Sequence, residues 1–125
     1  MSSHRSATAS VIVSGALDLV LVVAFVLIGR ASHNEGLAGV VTTAWPFLVA
    51  LTLGWVALRA WRHPRQILGT GIGIWLITVA GGLILRLVAG QGVQLSFAIV
   101  TTLVLGVFLL GWRAIWLLIQ RRRRA

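Results

Sequence analysis

The chain has 125 residues, of which 58% are hydrophobic and only 10% are charged. This composition lies outside the range of soluble domains and indicates a single-domain integral membrane protein. Cysteine is absent, which excludes a disulfide framework and thiolate metal or redox sites. The formal net charge of +9 comes from arginine, since the chain has no lysine. Because the arginines flank apolar segments, they indicate membrane-flanking positive charge and not a nucleic-acid partner.

Four apolar segments each approach the twenty residues that a hydrocarbon core of about 30 Å requires. They predict an all-α fold, an integral membrane bundle of four transmembrane helices that forms one domain over residues 1–125. The helices are expected at about 10–30, 37–61, 66–88 and 95–119, with a basic tail at 120–125. The first segment resembles a secretory signal but contains Asp18 and has no small-residue cleavage site, so we expect it to be retained.

The arginines are distributed unequally between the two sides of this bundle. Only Arg30 and Arg86 fall on one side, and the others fall on the opposite side: Arg5, Arg59, Arg62, Arg65, Arg113 and Arg121 to Arg124. Since the cytoplasmic loops of membrane proteins carry the excess of basic residues, we expect both termini to be cytoplasmic in a multi-pass protein of the plasma (inner) membrane. Four tryptophans cluster toward the same side, as an aromatic belt would: Trp55, Trp61, Trp112 and Trp116.

Small and polar residues form one stripe on each helix, and such faces are the ones that meet in lipid. The four stripes are, in helix order, Ser14, Asp18, Gly29 and His33; Gly39, Thr43, Pro46, Ala50 and Ala57; Gly71, Thr78, Gly82 and Arg86; and Thr102, Gly106 and Arg113. Pro46 has no amide hydrogen to donate to the Thr42 carbonyl, so a kink is expected there. The released carbonyl needs a partner from a neighbouring helix, a hydroxyl or water.

Asp18 is the most informative residue, because a lone carboxylate at this depth costs roughly 2.5 kcal/mol or more to insert. Side chains lean toward the N-terminus of their own helix, so Asp18 and Arg113 lean toward each other. We therefore predict a buried Asp18–Arg113 charge pair, with Arg86 less able to reach the acid. The pair could fix helix register, or it could form an ion or proton site with Arg113 as gate. Asp18 could also pair elsewhere or be protonated.

The remaining polar residues predict surface roles. Arg30, His33 and Glu35 are expected to form an outer polar cluster, and the tail arginines Arg121, Arg122, Arg123 and Arg124 are expected to bind anionic lipid headgroups. Gly69 and Gly73 have the small-xxx-small spacing of a helix contact. No arrangement of residues indicates a catalytic site, a metal site or a cofactor, so we do not expect an enzyme.

Several short motifs together give the chain a family resemblance. They are Asp18, Gly29-Arg30-x-x-His33, Trp45-Pro46-Phe47, Gly54-Trp55, Pro64, Trp75 with Thr78, Gly82 with Arg86, Ser96-Phe97, and Gly111-Trp112-Arg113. On these residues the chain resembles an uncharacterised family of integral-membrane proteins of actinobacteria and haloarchaea, domain of unknown function 3054. The resemblance covers nearly the whole chain and implies a four-helix membrane protein, and the arginine and glycine content suits an actinobacterium with a GC-rich genome. It implies no activity.

Two functions fit these patterns. The first is a non-enzymatic structural or accessory component of the membrane, with a membrane-protein partner or a second copy of the chain. The second is a small proton- or ion-coupled transporter or channel that uses the intramembrane Asp18 with Arg113. Four-helix exporters of similar length assemble as antiparallel dimers and need balanced loop charges, whereas this chain is strongly biased.

Overall fold

A computed structural model describes residues 2–30 and 36–124 and shows an all-α fold in that part of the chain. Its four long helices are α1 (Ser2–Arg30), α2 (Gly36–Ala57), α3 (Ile72–Val88) and α4 (Leu95–Arg124). A 3-10 turn at Ala60–Arg62 and a wide π-type turn at Ile67–Gly71 lie between α2 and α3. Four segments are long and apolar enough to cross a membrane: Ala7–Gly29, Ala38–Ala57, Ile67–Val88 and Leu95–Arg123.

The helices pack as an antiparallel ring. Each helix contacts the next one along the chain, and α4 closes the ring against α1. The direction follows from the contacts, since Gly15 faces Trp55 and Phe25 faces Phe47 across α1 and α2. We call the end that carries Arg59, Arg62, Arg65 and Arg121 to Arg123 the basic end, and the end that carries Arg86 the opposite end.

The observed helix ends differ from the expected ones. α1 begins at Ser2 and not near residue 10, and α4 continues to Arg124 and not only to residue 119. A hydropathy pattern marks where a segment is apolar, whereas backbone hydrogen bonding continues into polar residues. α2 instead ends at Ala57, short of the expected residue 61. Arg59 adopts a left-handed conformation (φ 50°, ψ 52°), which stops the helix.

The third helix also begins later than expected, at Ile72 and not at residue 66. Leu68 is extended with ψ 134°, and Gly69 has φ 82°, a value that a side chain disfavours. The expected helix contact through Gly69 and Gly73 is therefore wrong in part, because Gly69 lies in the turn. Gly73 does pack within the bundle, directly against the Leu58 side chain.

The small and polar stripes largely face the interior. The buried members are Ser14, Asp18, Thr43, Pro46, Ala50, Gly71, Thr78, Gly82 and Arg113, and the partly buried ones are Gly39, Arg86, Thr102 and Gly106. Gly29 and Ala57 are exposed, so the expectation is wrong for these two, and His33 lies outside the described residues. Many valine, leucine and isoleucine side chains are instead exposed on the outside of the bundle. Toward the opposite end the interior is aromatic: Phe25 meets Phe47 edge to face at 5.8 Å between ring centroids, and Phe97 lies within 6.4 Å of both.

Substituting Gly82 by alanine should destabilise the bundle. A methyl group at this position would overlap the ring of Phe47, which has no exposed surface. Overpacking of this kind typically costs about 1–3 kcal/mol. Gly111→Ala is the matched control, since no atom lies within 4 Å of the added methyl group. In thermal unfolding in mild detergent, Gly82→Ala should melt well below Gly111→Ala, and equal melting temperatures would contradict the close packing of α2 and α3.

Candidate functional site

The Asp18 carboxylate is the centre of the best-defined polar site in the described part of the chain. Its side chain has no exposed surface and accepts four hydrogen bonds. Arg113 donates two of them in a bidentate arrangement, from one terminal nitrogen to Oδ1 at 2.9 Å and from the other to Oδ2 at 2.7 Å. The indole Nε1 atoms of Trp112 and Trp55 donate the other two, at 2.8 Å and 2.9 Å. Both oxygens are therefore saturated.

Arg113 is as completely enclosed as the acid. Its guanidinium also donates from Nε to the Pro64 carbonyl at 2.9 Å and from a terminal nitrogen to the Leu109 carbonyl at 2.8 Å. The side chain has no exposed surface. Its guanidinium carbon lies 4.5 Å from the centroid of the Trp112 ring, so that indole both stacks on the cation and donates to the anion.

The site connects most of the fold. Asp18 comes from α1, Trp55 from α2, Pro64 from the loop before α3, and Trp112 and Arg113 from α4. A buried ion pair needs strong geometry and extra hydrogen bonds to offset the desolvation of both charges. The bidentate contact and the two indoles supply these. Such an arrangement neutralises its own charge and fixes the relative positions of four segments.

Sequence reasoning missed two members of this site, Trp55 and Trp112, and assigned both to an aromatic belt. A signal for them existed. A buried indole N–H needs an acceptor, and Asp18 is the one acidic side chain near their depth in the sequence. The backbone carbonyl of Pro64 also belongs to the site, because it accepts a hydrogen bond from Arg113.

Arg86 lies away from Asp18, at the opposite end of the bundle. Its guanidinium donates to the Gln91 side-chain oxygen at 3.0 Å and to the Gly92 carbonyl at 3.3 Å, and it lies 4.5 Å over the Phe97 ring. Arg86, expected to be less able to reach the acid, therefore takes no part in the buried pair. Arg86 instead borders a cavity of about 600 Å³ whose walls include Phe25, Phe97 and Gln94.

The Thr42 carbonyl, which loses its helical partner because of Pro46, accepts a hydrogen bond from the Gln91 side-chain amide at 3.0 Å. α2 continues through Pro46 without interruption. The turn between α3 and α4 thus supplies the partner that the proline removes. Arg86 orients the other end of the same glutamine.

The other predicted site residues do not gather into a site. His33 and Glu35, and with them the outer polar cluster with Arg30, lie outside the described residues. The Arg124 side chain also lies outside them, whereas Arg121, Arg122 and Arg123 are exposed on the last turn of α4. Among the described residues no group of three or more His, Asp or Glu side chains could hold a metal ion.

Within residues 2–30 and 36–124, three interior hydroxyl groups have no hydrogen-bond partner: Ser14, Thr78 and Thr101. All three side chains are fully buried. Ser14 lies one helical turn before Asp18 on α1, so it adjoins the site without taking part in it. A buried hydroxyl without a partner is uncommon, and it offers a position where a water molecule could bind.

Comparison with protein families identifies the chain. A family model described as Protein of unknown function (DUF3054) matches residues 15–116. The chain belongs to this family. The matched region contains Asp18, Trp55, Pro64, Trp112 and Arg113, and hence the whole buried site. No curated protein and no solved structure matches the chain at a significant level.

Breaking the buried pair should destabilise the fold more than removing both charges together. Asp18→Leu or Arg113→Leu leaves one buried charge uncompensated, which typically costs about 3–5 kcal/mol. The double variant leaves none, so its loss should fall clearly below the sum of the two single losses. Unfolding in mixed detergent measures all three. Additive losses would contradict coupling across the pair.

Each indole donor should contribute separately to stability. Trp55→Phe and Trp112→Phe keep an aromatic ring but remove an N–H that donates to a buried carboxylate, a bond worth about 1.5–3 kcal/mol. Trp61→Phe is the matched control, because Trp61 is exposed at the same end of the bundle. We expect both site variants to unfold earlier than Trp61→Phe in the same detergent. Equal stability of all three would exclude a role for the indoles.

Proposed function

We propose that the chain is a structural or accessory component of the plasma (inner) membrane, without enzymatic activity. The observation that carries this proposal is the saturation of Asp18. Its two oxygens accept four hydrogen bonds at 2.7–2.9 Å and have no contact with solvent. A carboxylate that carries protons or solutes must exchange partners during its cycle, whereas a carboxylate fixed on all sides acts as a clamp.

The proposed orientation places both termini in the cytoplasm. The four apolar helices and their antiparallel packing support an even number of crossings. The basic end carries Arg59, Arg62, Arg65 and the exposed tail arginines, while Arg86 is the one arginine side chain that the structure describes at the opposite end. Excess positive charge favours the cytoplasmic side. The tail arginines then face anionic headgroups of the inner leaflet.

An accessory role requires a partner within the membrane. Bulky apolar side chains cover the outside of the bundle, and they suit contact with lipid chains or with the apolar helices of another membrane protein. The four spans and their connections occupy most of the described residues, so the surface that these residues offer to a partner lies mainly along the helices.

A second candidate function is a small proton- or ion-coupled transporter or channel. Ser14 favours it, because its unpartnered hydroxyl is buried one turn from Asp18. Thr78 and Thr101 are further unpartnered hydroxyl groups in the interior. Together with the cavity at the opposite end, they would be the polar groups available to a hydrated path.

The topology is testable with reporters at the carboxyl end of the full chain. A green fluorescent protein fusion should fluoresce, because this reporter is fluorescent in the cytoplasm. An alkaline phosphatase fusion should be inactive, because this reporter is active only outside the cytoplasm. The double variant Arg59→Gln/Arg62→Gln should weaken the preference for this orientation, because it removes positive charge from the basic end. The control double variant Gln91→Ala/Gln94→Ala removes no charge and should leave the preference unchanged. An active phosphatase fusion would contradict the proposed orientation.

The two functions are separated by purification and flux measurements on one preparation. We expect a membrane-protein partner to co-purify stoichiometrically in mild detergent. Liposomes with the purified chain should show no proton flux above protein-free liposomes. A flux that Ser14→Ala or Asp18→Asn abolishes, with the variant still monodisperse, would overturn the accessory role and establish transport.

A further inference from the structure

Arg65 occupies a fixed position at the basic end. Its guanidinium carbon lies 3.8 Å above the centroid of the Trp116 ring, a close cation–π contact. The preceding residue, Pro64, accepts a buried hydrogen bond from Arg113. The backbone next to Arg65 is therefore attached to the buried pair, and its side chain is held against α4. Such an arginine presents its N–H groups in a preset direction.

Two depressions meet at this stacked pair. One is a cavity of about 680 Å³ with polar side chains in its wall, among them Gln66, His63 and Gln120. The other is an apolar groove of about 280 Å³ between α1 and α4, lined by Val13, Leu17, Ile115 and Ile119. Arg65 and Trp116 line both. A depression with several polar side chains in its wall and an apolar groove thus adjoin at Arg65 and Trp116.

The positive charge of Arg65 is not neutralised by an acidic side chain in the described part of the chain. The sequence contains only two acidic residues, Asp18 and Glu35. Asp18 is saturated by Arg113, Trp55 and Trp112. No salt bridge to Arg65 is found among residues 2–30 and 36–124. The exposed arginines of the tail follow Gln120 directly and add to the positive potential.

We propose that this end of the bundle carries a binding site for one anionic phospholipid. The headgroup phosphate binds Arg65 in the larger depression, beside Gln66 and Gln120, and one acyl chain lies in the groove between α1 and α4. Charge complementarity selects the anionic headgroup, and the adjoining apolar groove selects a lipid over a soluble phosphate. The inference depends on the proposed membrane placement, and it describes a discrete site, distinct from diffuse attraction to the tail.

Native mass spectrometry of the full chain in mild detergent tests this site, with phosphatidylglycerol and phosphatidylcholine as the probes. Arg65→Gln should weaken phosphatidylglycerol binding at least about tenfold, since a charge-assisted hydrogen bond to phosphate is lost. Arg62→Gln is the matched control, because it removes one exposed charge from the same loop. We expect it to bind at least about fivefold more tightly than Arg65→Gln. Ile119→Trp, which fills the groove at an exposed position, should also weaken binding.

Several outcomes would overturn the proposal. They are equal loss in Arg65→Gln and Arg62→Gln, equal binding of both lipids to the unmodified chain, and unchanged binding in Ile119→Trp. Displacement of the lipid by inorganic phosphate at millimolar concentration would show an anion site without a lipid role. Failure of the membrane placement would appear separately, as chain that remains soluble after membranes are sedimented.

Discussion

A carboxylate inside an apolar bundle has no bulk water to solvate it, so its surroundings must provide every hydrogen bond that it needs. At Asp18 this requirement is met by four donors from two helices other than its own. The bidentate arginine supplies charge as well as direction, and the two indoles occupy the remaining lone pairs. Each oxygen accepts two hydrogen bonds, so removal of any one donor would leave one buried lone pair without a partner, which gives the site its importance for the fold.

The same requirement organises the surroundings of the pair. Arg113 brings its own demand for acceptors and satisfies it with the Pro64 carbonyl, a group outside any helix. The loop between α2 and α3 therefore lies close to α4. That loop in turn places Arg65 over Trp116. Contacts thus connect the interior of the bundle to its basic surface, from Asp18 through Arg113 and the Pro64 carbonyl to Arg65.

The sequence was most informative where one physical demand dominated. Length and apolarity were sufficient to predict four spans. The cost of a buried acid predicted that Asp18 needs a partner, and depth in the membrane favoured Arg113 over Arg86. It was less informative where several solutions were equivalent. An indole near the membrane surface is equally compatible with an aromatic belt and with a hydrogen bond to a buried carboxylate. Trp55 and Trp112 were therefore assigned to the belt. The positive φ of Gly69 delays the start of the third helix to Ile72, although the apolar pattern already begins before this glycine.

The proline in α2 shows the same logic at the other end of the molecule. Pro46 removes one donor, and the Thr42 carbonyl that loses it accepts a hydrogen bond from Gln91 in a turn 49 residues further on. The position of that turn is itself restrained by Arg86, which holds both Gln91 and the Gly92 carbonyl. At the basic end, Arg113 holds the loop before α3 through the Pro64 carbonyl. At the opposite end, Arg86 holds the turn whose Gln91 donates to α2. In an apolar environment no water is present to take the place of a missing hydrogen-bond partner, so few other groups could hold these loops.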